Sequence, residues 1–214
     1  MMVVAITSFK ISGEAASGLS EIYWFSADGS GVGPGGSAKI QEELSSIGYT
    51  AKRYSDTHAY YVRRTMNNDK IFVNISHGKV GRIICDGDTT VSAKAVSGDN
   101  NNYSLAAFFG KDDFNGMKFA YLGSCYSAKT SATYGNLPSY ITGTLGAKSA
   151  LGFKEDVDDM RTTYFEKKLF VNLASGNTIS QSASSAKSAT YTKFGNYGGV
   201  DSYTIYGASD TKIK

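Results

Sequence analysis

Two short stretches carry side chains able to do covalent chemistry together. "NISHG" (74–78) contains His77, one of two histidines, and "AYLGSCYSA" (120–128) contains Cys125, one of two cysteines. A thiol is only a few per cent thiolate at neutral pH, so a nucleophilic cysteine needs a neighbouring base. An imidazole can take the proton and later give it to a leaving amine. Such a site also needs donors for the developing oxyanion. Gly78 has no Cβ, so its backbone N–H can approach a substrate carbonyl, and the N–H of Cys125 is a second candidate donor. Taken singly, a cysteine near a strand end more often packs in a core, and a strand-end histidine more often satisfies a carbonyl.

What would bring the two together is the pattern of elements around them. "KIFVNIS" (70–76) is an apolar, β-branched run of the kind buried on both faces of a parallel sheet, and it ends at His77. "MKFAYLGS" (117–124) is a second such strand, ending at Cys125, and "KSALGF" (148–153) a third. Further strands are expected at "EIYWFSA" (21–27), "YTAKRYSD" (49–56) and "SYTIYGA" (202–208), and a hairpin at "GRIICDGDTTVSA" (81–93) turning at Asp86-Gly87. Helical spacing places Ala38, Ile40, Leu44 and Ile47 on one face, with Ser37 as N-cap and Gly48 as stop. Tyr61, Val62, Thr65 and Met66 mark a second helix, "YSLAAFFG" (103–110) a short one, and Phe165, Leu169 and Leu173 a long one. A Ser/Ala-rich helix follows over about 178–194. Strands alternating with helices predict an α/β fold: one three-layer sandwich with a mostly parallel central sheet and helices on both faces. Such sheets place chemistry in the crevice beyond the carboxyl ends of their strands, where His77 and Cys125 both fall.

Bulk properties narrow the classes. A length of 214 residues suits one sizeable domain over 1–214, with an irregular segment at 1–20. A formal charge of +3, dispersed without long runs, argues against nucleic acid or anionic lipid as partner. No stretch has the roughly 18 consecutive apolar residues of a membrane helix. The first residues lack a basic flank before their short apolar run, unlike a secretion signal. Two cysteines, Cys85 and Cys125, make no disulfide framework, so a reducing, cytoplasmic setting is expected.

The two motifs, 48 residues apart, resemble the His-Gly and strand-Cys boxes of clan CD cysteine peptidases. That clan includes caspases, metacaspases, legumain, gingipains, clostripain and separase. Caspases place the histidine about 50 residues upstream of the cysteine. Residues 140–189 resemble the CHAT-type branch more closely. There the cysteine box is followed by a helix ending in Gly-Ala, a strand, an acidic turn and a helix with a Gly-terminated end. The likeness spans roughly residues 21–190. It implies Cys125 as nucleophile, His77 as general acid/base, Gly78 and Cys125 N–H groups as oxyanion hole, and cleavage of peptide bonds without a cofactor. It also implies a protein or peptide substrate, a regulatory protein partner, and activation by cleavage in the 126–147 connection. The caspase pattern Gln-Ala-Cys-x-Gly is absent. Metacaspases and clostripain-like enzymes often set an Asp just before the cysteine to hold a basic side chain, where this chain has Gly123-Ser124. The substrate-binding candidates are therefore Ser124 and, in "KEDVDD" (154–159), Glu155 and Asp156, with Asp158 and Asp159 assigned to helix capping.

Two other readings compete. A caspase-like scaffold keeps the sheet without catalysis. "GVGPGG" (31–36) matches G-x-G-x-x-G after a strand and before a helix, with Asp56 twenty residues beyond, the outline of a dinucleotide site. Cys85 is expected in the core, and His58 is expected to open a helix at the surface. No Cys/His spacing suggests zinc. The aromatics are expected in the core, and Lys52-Arg53 and Arg63-Arg64 as solvated pairs.

Overall fold

The computed structural model describes residues 17–25 and 34–214. Its main sheet has six strands: β1 (Leu19–Trp24), β2 (Thr50–Ser55), β3 (Asp69–Ile75), β8 (Phe119–Gly123), β9 (Ser149–Phe153) and β10 (Tyr203–Gly207). Their order is β10-β9-β8-β3-β1-β2, with every pair parallel except β10 against β9. A small second sheet holds β4 (Gly78–Lys79), β5 (Arg82–Ile84), β6 (Thr90–Ser92) and β7 (Asn102–Ser104).

The alternation of side chains along each strand feeds two cores. On one face, Ile22, Ile71, Val73, Phe119, Tyr121, Leu151 and Phe153 meet α1 (Pro34–Ser46), α4 (Asp159–Ala174) and α5 (Ile179–Phe194) through Ile40, Leu44, Phe165, Leu169 and Ala183. On the other, Phe72, Ala120, Leu122 and Ala150 meet α2 (Ala59–Thr65) and α3 (Leu137–Gly143) through Val62 and Ile141. Each large apolar side chain so buried contributes about 1.5–3 kcal/mol, which is why the central strands read as near-continuous apolar runs. The expected three-layer sandwich is what the chain forms.

Local signals set the ends. Asn136 caps α3, accepting from the Ser139 N–H at 3.0 Å, and Thr178 and Gln181 form a reciprocal capping box on α5. Asp158 caps α4, accepting from the Arg161 N–H at 3.0 Å. α1 begins at Pro34, so Ser37 lies inside it rather than capping it, its hydroxyl donating to the Pro34 carbonyl at 3.1 Å. β1 starts at Leu19, and Ser26 and Ala27 of the expected strand lie outside the described residues. No helix forms over 103–110: Asn102–Ser104 pairs with β6 instead, and Ser104 Oγ accepts from the Ala107 N–H at 3.2 Å in a turn. The hairpin forms, but its left-handed residues are Gly87 and Asp88.

Several surface expectations also change. His58 opens α2 as expected, its Nδ1 accepting from the Tyr60 N–H, but it is only partly exposed, its ring edge-on to Tyr103. Arg53 donates to Ser37 Oγ and lies over Trp24, and Arg63 lies over Phe108 at 4.4 Å, so neither is simply solvated. Tyr61, Phe108 and Tyr197 are exposed rather than core. Of "GVGPGG", only Pro34–Gly36 are described, and they form the first turn of α1.

Candidate active site

The β3–β8 register pairs Ile75 with Gly123. The next residues therefore leave the carboxyl edge side by side: Ser76 with Ser124, His77 with Cys125. The hydroxyls of Ser76 and Ser124 lie 3.2 Å apart and both donate to Asn74 Oδ1, at 2.7 and 3.2 Å. This buried triangle ties the two strand ends just before the reactive residues. His77 and Cys125 then line one narrow cleft with Gly123, Val157, Asp159 and Glu166, its free volume about 20 Å³. That space holds one water and no substrate side chain, so a ligand would have to move a wall.

The turn holding Cys125 is over-determined. Ser127 Oγ donates to the Leu122 carbonyl at 2.9 Å and accepts from the Phe153 N–H at 3.1 Å, fixing the turn to β9. Tyr126, directly after the cysteine, sits at φ +55, a conformation that costs a non-glycine residue about 1 kcal/mol or more. Its N–H donates to the Glu155 carbonyl and its hydroxyl to Asp156 Oδ2 at 2.7 Å, which offsets that cost. Among the described residues, no acceptor lies on the Cys125 N–H.

Gly78 fits against this turn so closely that an added Cβ would overlap the Cys125 carbonyl oxygen. The His77 carbonyl accepts from the Ile84 N–H at 2.9 Å, and the imidazole stands edge-on to Phe25 with ring centres 6.1 Å apart.

The thiol is half-buried. Its sulfur accepts from the Val157 N–H at 3.3 Å and faces the Val157 carbonyl at 3.7 Å. Burial pushes its pKa above the ordinary thiol value. The Val157 N–H opposes that rise, while the Asp156 and Asp159 carboxylates add to it. The resting side chain is thus a neutral thiol at pH 7. Cys85 is buried in the opposite core and raised to about 12, chiefly by burial.

The substrate-binding candidates are placed unequally. Ser124 is fully buried, with its hydroxyl committed to Asn74 and Ser76. Glu155 and Asp156 are exposed beside the cleft without lining it.

The residue missed from sequence is Glu166. It is fully buried in the floor of the cleft, and burial raises its carboxyl to about 8. Tyr121 donates to Oε1 at 3.2 Å, and Oε2 has no hydrogen-bond partner among the described residues. Added Cβ atoms on Gly36 and Gly123 would stand 2.5 and 2.6 Å from its two oxygens, so both glycines make room for it. The signal was present: Glu166 interrupts the inward stripe Thr162, Phe165, Leu169, Phe170 and Leu173 at helical spacing. Among the described residues, no group of three acidic, His or Cys side chains could hold a metal. None of their helices is long and apolar enough to cross a membrane.

No family model matches the chain, and no curated protein matches it either. Solved structures do. Separase of Saccharomyces cerevisiae, in complex with securin, is similar with a TM-score of 0.55 and 17% identity over 90% of this chain; the match spans only 12% of the separase chain. A second separase–securin structure gives 0.52 and 13%, with the same coverage. Caspase-1 of Spodoptera frugiperda gives 0.51 and 12%, covering 97% of this chain and 94% of that one. At such identities the likeness is one of backbone architecture, and it agrees with the sheet order and two-sided helices described above: the chain has the caspase-like fold.

Proposed function

We propose that this chain is a cysteine endopeptidase working through Cys125 and His77. The observation that supports it most is the β3–β8 register, which delivers both residues into one cleft at the carboxyl edge of a caspase-like sheet. In the proposed cycle, His77 takes the thiol proton as the Cys125 sulfur attacks the scissile carbonyl carbon, because the resting thiol is neutral. The Gly78 and Cys125 N–H groups hold the oxyanion. As the C–N bond breaks, His77 gives the proton to the leaving amine. Water, deprotonated by His77, then hydrolyses the acyl-enzyme thioester and regenerates the thiol. Ser124 acts from behind the site, and Glu155 and Asp156 form an acidic rim toward the substrate. The order of elements after Cys125 supports the CHAT-type branch within the fold. The unpaired thiols suit a reducing, cytoplasmic setting. The separase neighbour is seen with securin, and a regulatory protein partner for this chain is part of the proposal.

A second reading, a catalytically silent binding module, draws on one observation: the Cys125 sulfur is engaged by the Val157 backbone rather than held as a thiolate. Cleavage of a peptide library decides between them. The peptidase reading expects turnover that Cys125→Ala and His77→Ala each abolish. Turnover surviving both substitutions, or no turnover by the wild-type chain on any library member, would overturn it.

A further inference from the structure

The opposite edge of the main sheet carries a feature that the peptidase reading leaves unused. The β3–β8 register pairs Ile71 with Phe119, so Lys70 stands beside Lys118. The β8–β9 register pairs Ala120 with Ala150, so Lys118 also stands level with Lys148. Three adjacent parallel strands thus enter the sheet with a lysine on the same rung. Like charges on neighbouring strands destabilise a sheet unless something between them is negative.

Two of these lysines are steered by the fold. The Lys70 stem lies against Gly18, where no Cβ obstructs it, and its ammonium lies over Gly116, 2.8 Å from where a Cβ there would stand. Lys118 Nζ donates to the Ile213 carbonyl at 3.4 Å. The same carbonyl accepts from the Tyr49 hydroxyl at 2.6 Å, and the Ile213 side chain is fully buried. That anchor draws the tail across the amino edge and brings in Lys212 and Lys214 on either side of Ile213. Together the five lysines line a cavity of about 1150 Å³, to which no acidic side chain among the described residues contributes. None of the five forms an ion pair among the described residues.

A structural role for the charge is to complement the carboxyl ends of α1 and α4, which reach the cavity through Gly48 and Gly176. Each helix end amounts to about half a negative charge, so two ends offset roughly one lysine of the five. Most of the positive charge is left over, and it sits in a cavity.

We propose that this cavity binds a compact polyanion bearing several phosphate groups. The rung spreads its charges over roughly 10 Å, two strand spacings, which is wider than one phosphate can bridge. Lysine ammoniums supply point charges suited to phosphate oxygens without demanding a fixed planar geometry.

Calorimetric titration of the full chain at low ionic strength, using inorganic tripolyphosphate as probe, tests the site. Orthophosphate, a nucleoside triphosphate and a 20-residue single-stranded oligonucleotide run in parallel. One-to-one binding of tripolyphosphate is expected, with a rise in Tm that orthophosphate does not match. Lys70→Gln/Lys118→Gln weakens it by on the order of tenfold per lysine, while its Tm without ligand is unchanged or higher because repulsion is relieved. If the nucleoside triphosphate binds as tightly as the probe, the phosphates alone are read; if tighter, the ligand is organic. No binding by the wild-type chain, equal binding by the double variant, or a tighter hold on the oligonucleotide would overturn the proposal. Should the double variant not fold, exposed Lys148→Gln repeats the comparison with a smaller loss, and an unchanged affinity there overturns it too.

Discussion

Gly78 rests its α-carbon on the carbonyl oxygen of Cys125, with no room between them for a single methyl group. The residue after the histidine is thus packed directly onto the residue that carries the thiol. Gly78→Ala must push the turn at Cys125 away from β3. The expected result is a loss of roughly 1–3 kcal/mol in stability from overpacking and a fall in peptidase kcat/KM of about a hundredfold or more from misplacement of the sulfur. Chemical denaturation and steady-state kinetics read the two effects. Unchanged kinetics would show that this contact does not set the site.

Glu166 makes stability depend on pH. Its carboxyl titrates near 4.5 when unfolded and at about 8 when folded, so the folded state holds the proton more tightly. The contribution of Glu166 to stability is complete below about pH 4.5 and declines by a few kcal/mol as pH climbs to about 8. Asp69, raised from 3.8 to about 9 at the other edge of the sheet, adds a decline of the same sign. Lys167 opposes the rise at Glu166 and Asp159 reinforces it. Glu166→Gln should flatten the pH–stability curve between 4.5 and 8 without abolishing the slope that Asp69 leaves. Parallel curves for wild type and variant would refute the assignment.

The two cysteines should separate cleanly in alkylation. Iodoacetamide reacts slowly with Cys125 at pH 7 and faster as pH rises past the ordinary thiol range, since burial holds the thiol protonated. Cys85, buried and raised to about 12, stays unlabelled in the folded chain. A peptidyl electrophile that engages the cleft should label Cys125 far faster at pH 7, and His77→Ala should remove that advantage. Equal rates in the variant would deny His77 a part in activating the sulfur, by mass spectrometry of the labelled peptide.

Asn74 is worth more than its place in an apolar run suggests. Its side-chain oxygen accepts from both Ser76 and Ser124 in a buried setting. Asn74→Leu fills the space but removes the acceptor the two hydroxyls share, leaving Ser76 the His77 carbonyl and Ser124 the Ser76 oxygen, so each lost bond costs about 1 kcal/mol. Urea denaturation should show a loss of that order, and Ser76→Ala/Ser124→Ala added to Asn74→Leu should recover much of it. Failure to recover would mean that packing, not hydrogen bonding, holds the strand ends together.

Much of this architecture is legible in the residues themselves. "KIFVNIS", "MKFAYLGS" and "KSALGF" announce central strands because parallel strands bury both faces, and the positions of His77 and Cys125 follow from where those runs stop. What the pattern hides is of two kinds. Phe108 and Phe109 favour a helix by periodicity, yet pairing of Asn102–Ser104 with β6 wins because backbone hydrogen bonding there is set by a strand distant in sequence. Glu166 and Asn74 are polar residues inside apolar patterns, and their partners, Tyr121 and Ser124, come from other elements. No local rule reveals such partners, although the break in the pattern marks where to look.

The β3–β8 pairing has one more consequence. A slip of one residue would turn Phe119 and Tyr121 out of their core, and a slip of two would set His77 and Cys125 about 7 Å out of step. Histidine and cysteine therefore become neighbours only when the sheet has zipped correctly. Unfinished or mispaired chains hold the two apart, so under the proposed peptidase reading the fold acts as its own safety catch.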